Sequence, residues 1–457
     1  MLNILKKKDV NMLSGNITKG LVALALPIMV MNILASLFNI IDMTMLEKFG
    51  SDANAVGAVG VCGYLIALMT GLLVGCSAGA NVVISRHIGK GDGAGARRAV
   101  STSLIFALFG GIGLGAIGIF GAPLFLNWMN CPAELMDNAV LYFRLYFAGA
   151  PILMVYNFSA AILRSTGDSR RPMVYLITGG VLKVLFNLLF VGVFHLSVVG
   201  VALATIISWS ASCVLGVRAI FKNQNENIKI KLSELKFDRR ELRDVLEIGI
   251  PAGLQQALYS IANVVISTAV NSFGPDATTG ISIANTFDGI LYNIACAPAL
   301  AVMPYVSQNL GAGNLKRAKQ AMIRGMMIAM LFAGTLGAFS AIFSRELSWI
   351  MAENEAIVEY SRQKMIIISS TYFICGMNNV LSETLRGFRR PLIPTIATFV
   401  YMCVLRFVWV WGIFPFYKNL TFLYLVWPIG WVLSIVTVLP FIIHTMRRDR
   451  WKKRFNQ

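Results

Sequence analysis

Residues 24 to 45 read LALPIMVMNILASLFNIIDMTM, an apolar run with Pro27 near one end and Asp42 near the other. A helix needs about 20 predominantly apolar residues to cross a bilayer. This run therefore reads as a membrane span. A carboxylate inside hydrocarbon costs on the order of 2.5 to 3.5 kcal/mol even on a lenient insertion scale. Asp42 needs a partner or a wet cavity, and what stands opposite it is the question the rest of the chain has to answer.

Working outward, about twelve such runs are found, at roughly 20–46, 53–84, 99–126, 138–163, 173–194, 199–221, 245–273, 277–310, 320–343, 356–384, 392–414 and 421–446. With 56% apolar residues, 14% charged residues and a mean hydropathy of +0.68, the chain is an all-α membrane protein. The short alternating segments of a β-barrel are absent. Lys6, Lys7 and Lys8 precede the first run as in a signal peptide, but that run is too long, carries Asp42 and lacks a small-residue cleavage site. The net charge of +18 does not point to nucleic acid, because the basic residues are spread along the chain instead of forming one face. Of the 40 lysines and arginines, 32 fall at the two termini and in every second connection. That is the positive-inside pattern, and it puts both termini in the cytoplasm. The seven cysteines show no CxxC spacing, and His87, His195 and His444 are far apart, so neither a disulfide framework nor a metal site is expected.

Residues 222 to 244, KNQNENIKIKLSELKFDRRELRD, form the only long polar connection. Its first half reads as a solvated linker. The second half predicts a helix start, with Asp238 as N-cap, Glu241 completing a capping box, and Phe237 and Leu242 as a hydrophobic staple. The linker separates two similar halves, an N-terminal six-helix lobe at 1–221 and a C-terminal one at 245–457. Gly89-Lys90-Gly91-Asp92 recurs as Gly311-Ala312-Gly313-Asn314, LRSTGDSRRP (163–172) as LRGFRRP (385–391), and Pro27 and Asn39 as Pro251 and Asn263. An even number of spans per half implies a pseudo-twofold axis along the membrane normal. The glycine-rich turns read as tight inter-helix turns, since no P-loop pattern is present. Pro298 and Pro304 predict a kink in the eighth span.

These motifs resemble the multidrug and toxic compound extrusion (MATE) family, in its DinF-type bacterial branch. The likeness rests on the proline-to-aspartate first helix, RHIGKGDGAGARRA after the second span, LRSTGDSRRP after the fourth, GIPAGLQQ opening the seventh and QNLGAGNLKRA closing the eighth. It covers roughly residues 14 to 446. It implies twelve helices in two lobes around a cleft, alternating access, and export of amphipathic, often cationic compounds driven by protons or sodium. It also places Asp42 in a coupling-ion site whose other positions fall on Lys183, Asn187 and Thr205, with Pro27 as a helix bend. Lys183 departs from the family pattern, putting an ammonium where asparagine is common and a cation ligand is expected.

Lys183 lies eleven residues beyond Pro172, about 16 Å along a helix, near the bilayer middle. Intramembrane charges favour pairing, so Lys183 is paired with Asp42 in preference to two separate cavity-facing charges. By the same arithmetic Asp42 stands about 34 Å beyond Lys19, nearer the outer side. As a tethered substitute for sodium, Lys183 would make the protein proton-coupled; the competing possibility is a fixed structural pair. In the second lobe Arg406 either pairs with Asp288 or takes an anionic substrate group. Asn39, Gln256, Asn263 and Asn378 complete the cleft candidates, each with helix packing as the plainer role. Glu383 is expected to balance Arg386 or Arg389.

The expected function is a secondary antiporter exporting small amphipathic, cationic compounds, with H+ preferred to Na+ and no cofactor. The alternative is a flippase for a lipid-linked or anionic amphipathic substrate. It is disfavoured by twelve spans and only two deep basic residues, Lys183 and Arg406. No clustered nucleophile, acid/base or metal residues support an enzyme. The expected partners are a small-molecule substrate and membrane lipid, with no nucleic acid. The expected state is a monomer in a bacterial cytoplasmic membrane.

Overall fold

The computed structural model describes residues 9–447 except Ser51 and Ala53. The basic residues at 6–8 and 448–454, used above to orient the termini, lie outside the described residues. Every regular element among the described residues is a helix. The first half contributes α1 (Ile17–Phe49), α2 (Ala55–Lys90), α3 (Gly93–Trp128), α4 (Ala133–Ala148), α5 (Ala150–Ser165), α6 (Arg170–Asn187) and α7 (Ser197–Phe221). The second contributes α8 (Arg239–Asn271), α9 (Pro275–Gly311), α10 (Leu315–Ile342), α11 (Ser344–Trp349), α12 (Glu355–Ser370), α13 (Tyr372–Gly387), α14 (Leu392–Thr398), α15 (Leu405–Val408), α16 (Leu420–Tyr424) and α17 (Val426–Thr445).

Among the described residues nine helices, or eleven spans if each of two bent pairs counts as one, are long and apolar enough to cross a membrane. The twelfth is α8. It has 33 residues, but Gln255, Gln256, Ser260 and Asn263 lower its hydropathy. Large apolar side chains such as Phe109, Phe120, Ile117, Val214, Ile342 and Trp411 stand more than half exposed, as a lipid-facing surface requires.

The sequence repeat is also a repeat of backbone geometry. Gly91 and Gly313 both sit at φ 75°, left-handed positions that glycine occupies without a Cβ penalty. Each is followed by an N-cap. Asp92 accepts the Gly95 N–H at 2.8 Å to start α3, and Asn314 accepts the Arg317 N–H at 3.0 Å to start α10. The Gly95 hydrogen bond holds the Asp92 carboxyl below the usual carboxylate range. In the second motif Gly167 (φ 95°) is matched by Arg389 (φ 55°).

Two breaks were not visible as such in the hydropathy. α4 and α5 meet at a 46° bend, where Pro151 at the second position of α5 lacks the N–H that would continue α4. α12 and α13 meet at 47°, where the Thr371 hydroxyl bonds back to the Ile367 and Ile368 carbonyls. Pro298 and Pro304, expected to kink the eighth span, both lie inside the unbroken α9.

The chain forms two compact units. One is Val30–Ala257; the other joins Asn11–Met29 to the chain from Leu258 onward. The division falls inside α1, two residues past Pro27, and inside α8. The first unit packs around Leu46, Ile66, Phe143, Phe147 and Val201. The second packs around Ile281, Leu291, Tyr372, Trp409 and Trp431. Within the first, α2 and the start of α8 meet backbone to backbone. A Cβ at Gly75 would strike Gly253, one at Gly79 would strike the Val245 carbonyl, and one at Gly249 would come within 2.5 Å of the Cys76 Cα.

The linker differs from the expectation of a solvated segment. Asn223, Ile228 and Ile230 are buried, and a chain of Asn turns, in which the Asn225 N–H donates to the Asn223 Oδ1 and the Asn227 N–H to the Asn225 Oδ1, folds it back on itself. The capping box also forms only by half. Asp238 accepts the Arg240 and Glu241 N–H groups, but its own N–H donates to Thr102, and the Glu241 carboxylate turns to His87 instead. Phe237 is exposed, so no staple forms.

Candidate functional site

Asp42 sits seven residues from the end of α1 and is 7% exposed. Its Oδ2 lies 2.6 Å from the Lys183 Nζ, and its Oδ1 accepts a hydrogen bond from the Asn187 Nδ2 at 2.7 Å. Lys183 and Asn187 are one turn apart on α6, so a single helix face presents both donors. Immediately after Asn187 the helix widens into a π-helical turn, Leu188–Val193. Such turns re-aim side chains at the cost of regular pairing.

Thr205, buried on α7, makes no hydrogen bond to Asp42, Lys183 or Asn187. Pro27 lies within a continuous α1, where it removes the hydrogen bond to the Ala23 carbonyl. Asn39 is exposed on the same helix and Gln256 is exposed on α8.

In the second unit the structure overturns the pairing of Arg406 with Asp288. Asp288 on α9 pairs instead with Lys364 of α12 at 2.7 Å, and Lys364 also donates to the Asn285 Oδ1. The Tyr372 hydroxyl reaches the Asp288 main-chain carbonyl at 3.1 Å. Arg406 is 1% exposed; its Nη1 donates to the Asn263 Oδ1 at 2.7 Å, its Nε has no partner among the described residues, and its guanidinium stacks on Trp427 at 4.7 Å. Lys364 approaches the same indole at 5.9 Å, within cation–π range. Arg406 is flanked by two π-helical turns, Phe399–Val404 and Trp409–Ile413, as Asn187 borders one. Asn378 is buried on α13 with its Oδ1 unpaired among the described residues. Glu383 pairs with Arg386.

Lys364 was missed as a deep cation, so the count of deep basic residues rises from two to three. The signal lay in the helical register. Ser361 and Ile368, three and four residues away on α12, are both buried, so Lys364 shares the inward face.

A duplicated bundle of long apolar helices with ion pairs buried inside it defines a multi-pass integral membrane protein. The chain belongs to the MatE family, whose model matches it twice, over residues 27–189 and 251–411. The two matches begin at Pro27 and Pro251, the repeat partners read from the sequence. The chain is 27% identical to the probable multidrug resistance protein YpnP of Bacillus subtilis over 86% of its own length and 87% of the relative's. It is 23% identical to the multidrug export protein MepA of Staphylococcus aureus, over 81% of each chain. Among solved structures, an outward-facing multidrug resistance MATE family transporter superposes with a TM-score of 0.88 at 23% identity, covering 98% of this chain and 99% of the other. The fold is therefore the twelve-helix, two-lobe MATE fold of a multi-pass membrane transporter.

Proposed function

We propose that this protein exports small amphipathic, cationic compounds in exchange for protons by alternating access, working as a monomer in the cytoplasmic membrane with both termini inside. The observation that carries the proton assignment is the 2.6 Å pair between Asp42 and Lys183. The ammonium fills the place where a free sodium ion would sit, and its charge repels Na+. Protonation would neutralise Asp42, weaken its hold on Lys183 and Asn187, and release the part of α1 beyond Pro27. Drug export is supported by the names of the relatives, a probable multidrug resistance protein and a multidrug export protein.

The test is export of a cationic dye from proteoliposomes under an imposed proton gradient and, separately, an imposed sodium gradient. Proton-driven export without sodium-driven export is expected. Sodium-driven export by the unmodified protein would sink the proposal.

A further inference from the structure

The linker and the start of α3 line a half-open cavity of about 630 Å³, bordered by Arg97, Arg98, Lys229, Lys231 and Lys236 among others. Against these five cations stand two lining carboxylates, Glu226 and Glu234. Glu226 is held by Lys229 at 2.8 Å, and Glu234 accepts the Lys231 main-chain N–H at 3.4 Å. Arg98 is shared loosely with Asp238 at 3.7 Å and Glu241 at 4.0 Å. The lining therefore carries more cations than carboxylates, and no carboxylate holds Lys231 or Lys236 in a salt bridge among the described residues.

Its walls are built. Arg97 donates to the Glu226 carbonyl at 3.1 Å, the Lys236 N–H to the Ser101 hydroxyl at 2.8 Å, and a Cβ at Gly93 would come within 2.8 Å of the Asn227 Oδ1. The buried Ile228 and Ile230 anchor the strand of linker between these points. Its place along the chain matters too: Arg97 and Arg98 immediately precede the apolar run of α3, which puts the cavity at the membrane edge. Basic pockets at such edges recognise phosphate-bearing headgroups, and guanidinium groups pair with phosphate through charge-assisted hydrogen bonds. At the repeated turn after Gly313, Arg317 donates to the Met12, Ser14 and Gly15 carbonyls, so the segment covering that turn presents main-chain oxygens and no further cations, and Lys316 and Lys319 stand beside it.

We propose that this cavity binds a phosphate-bearing anion, either the headgroup of an anionic phospholipid or a soluble phosphate. The test is thermal unfolding of the full chain in detergent at constant ionic strength, with added phosphatidylglycerol, inorganic phosphate or phosphatidylcholine. A saturable rise in Tm is expected with at least one of the two anions and not with phosphatidylcholine. Stabilisation by phosphatidylglycerol alone assigns a lipid headgroup, and stabilisation by inorganic phosphate assigns a soluble anion. In Lys231→Gln/Lys236→Gln the shift should fall to half or less. In Lys316→Gln/Lys319→Gln, which removes the same charge from the repeated turn, it should be unchanged. If the first double variant does not fold, Lys231→Glu alone, at an exposed side chain, is read in the same way. No shift with either anion, or equal shifts in the cavity and control variants, would overturn the proposal.

Discussion

Asp42 satisfies both carboxylate oxygens with donors from one turn of α6, and only one of those donors is charged. Removing one partner of a buried pair costs about 3–5 kcal/mol, because the remaining charge is left uncompensated. Lys183→Met is therefore expected to lower the thermal stability of the purified protein markedly, and Asp42→Asn/Lys183→Met to recover most of the loss. Equal losses in the single and double variants would show that the pair adds little to the fold. Lys183→Asn removes the tethered cation but keeps an oxygen ligand, so it is expected to make dye export responsive to sodium. An ion dependence identical to that of the unmodified protein would refute the substitute-cation role. Asp42 was legible in the sequence as a costly carboxylate, and its pairing with Lys183 followed from the preference of intramembrane charges for partners. The choice of Lys364 over Arg406 as the partner of Asp288 was not legible. It depends on which face α12 turns to α9, and that is set by how the helices pack against one another.

At the scale of elements, polar positions cost α8 its hydropathy, and the repeat restores it as a span: Pro251 and Asn263 mirror Pro27 and Asn39 of α1. Motif recurrence was the better guide there because it reports geometry, namely the left-handed glycine and the cap after it, where hydropathy reports only average polarity. The close approach of α2 and α8 depends on four glycines. Gly79→Val would force the Val245 carbonyl away, and strain of this kind typically costs about 1–3 kcal/mol. A lower unfolding temperature is expected for Gly79→Val and little change for Gly60→Val, since nothing lies within 4 Å of a Cβ at Gly60. The linker was misread because its Lys, Asn and Glu residues look solvated one by one. Only Ile228 and Ile230, two apolar residues in a polar run, marked the segment as packed.

At the scale of the molecule, duplication has left two units with unlike polar centres. The first holds a carboxylate between an ammonium and an amide. The second holds the Asp288–Lys364 pair beside an arginine whose described partners are an amide and an indole. Asn187 and Arg406 occupy matching places after Pro172 and Pro391, each beside a π-helical turn, yet only Asn187 meets an acid. The repeat partner of Asp42 is Ile266, which is why coupling is assigned to the first unit. The most direct test of that assignment is a trapped fluorescent pH probe inside proteoliposomes while a cationic dye gradient drives transport at initially equal pH. Dye movement in one direction is expected to move protons in the other, and Asp42→Asn to abolish the pH change. Dye transport without any pH change, or a pH change that persists in Asp42→Asn, would contradict the account.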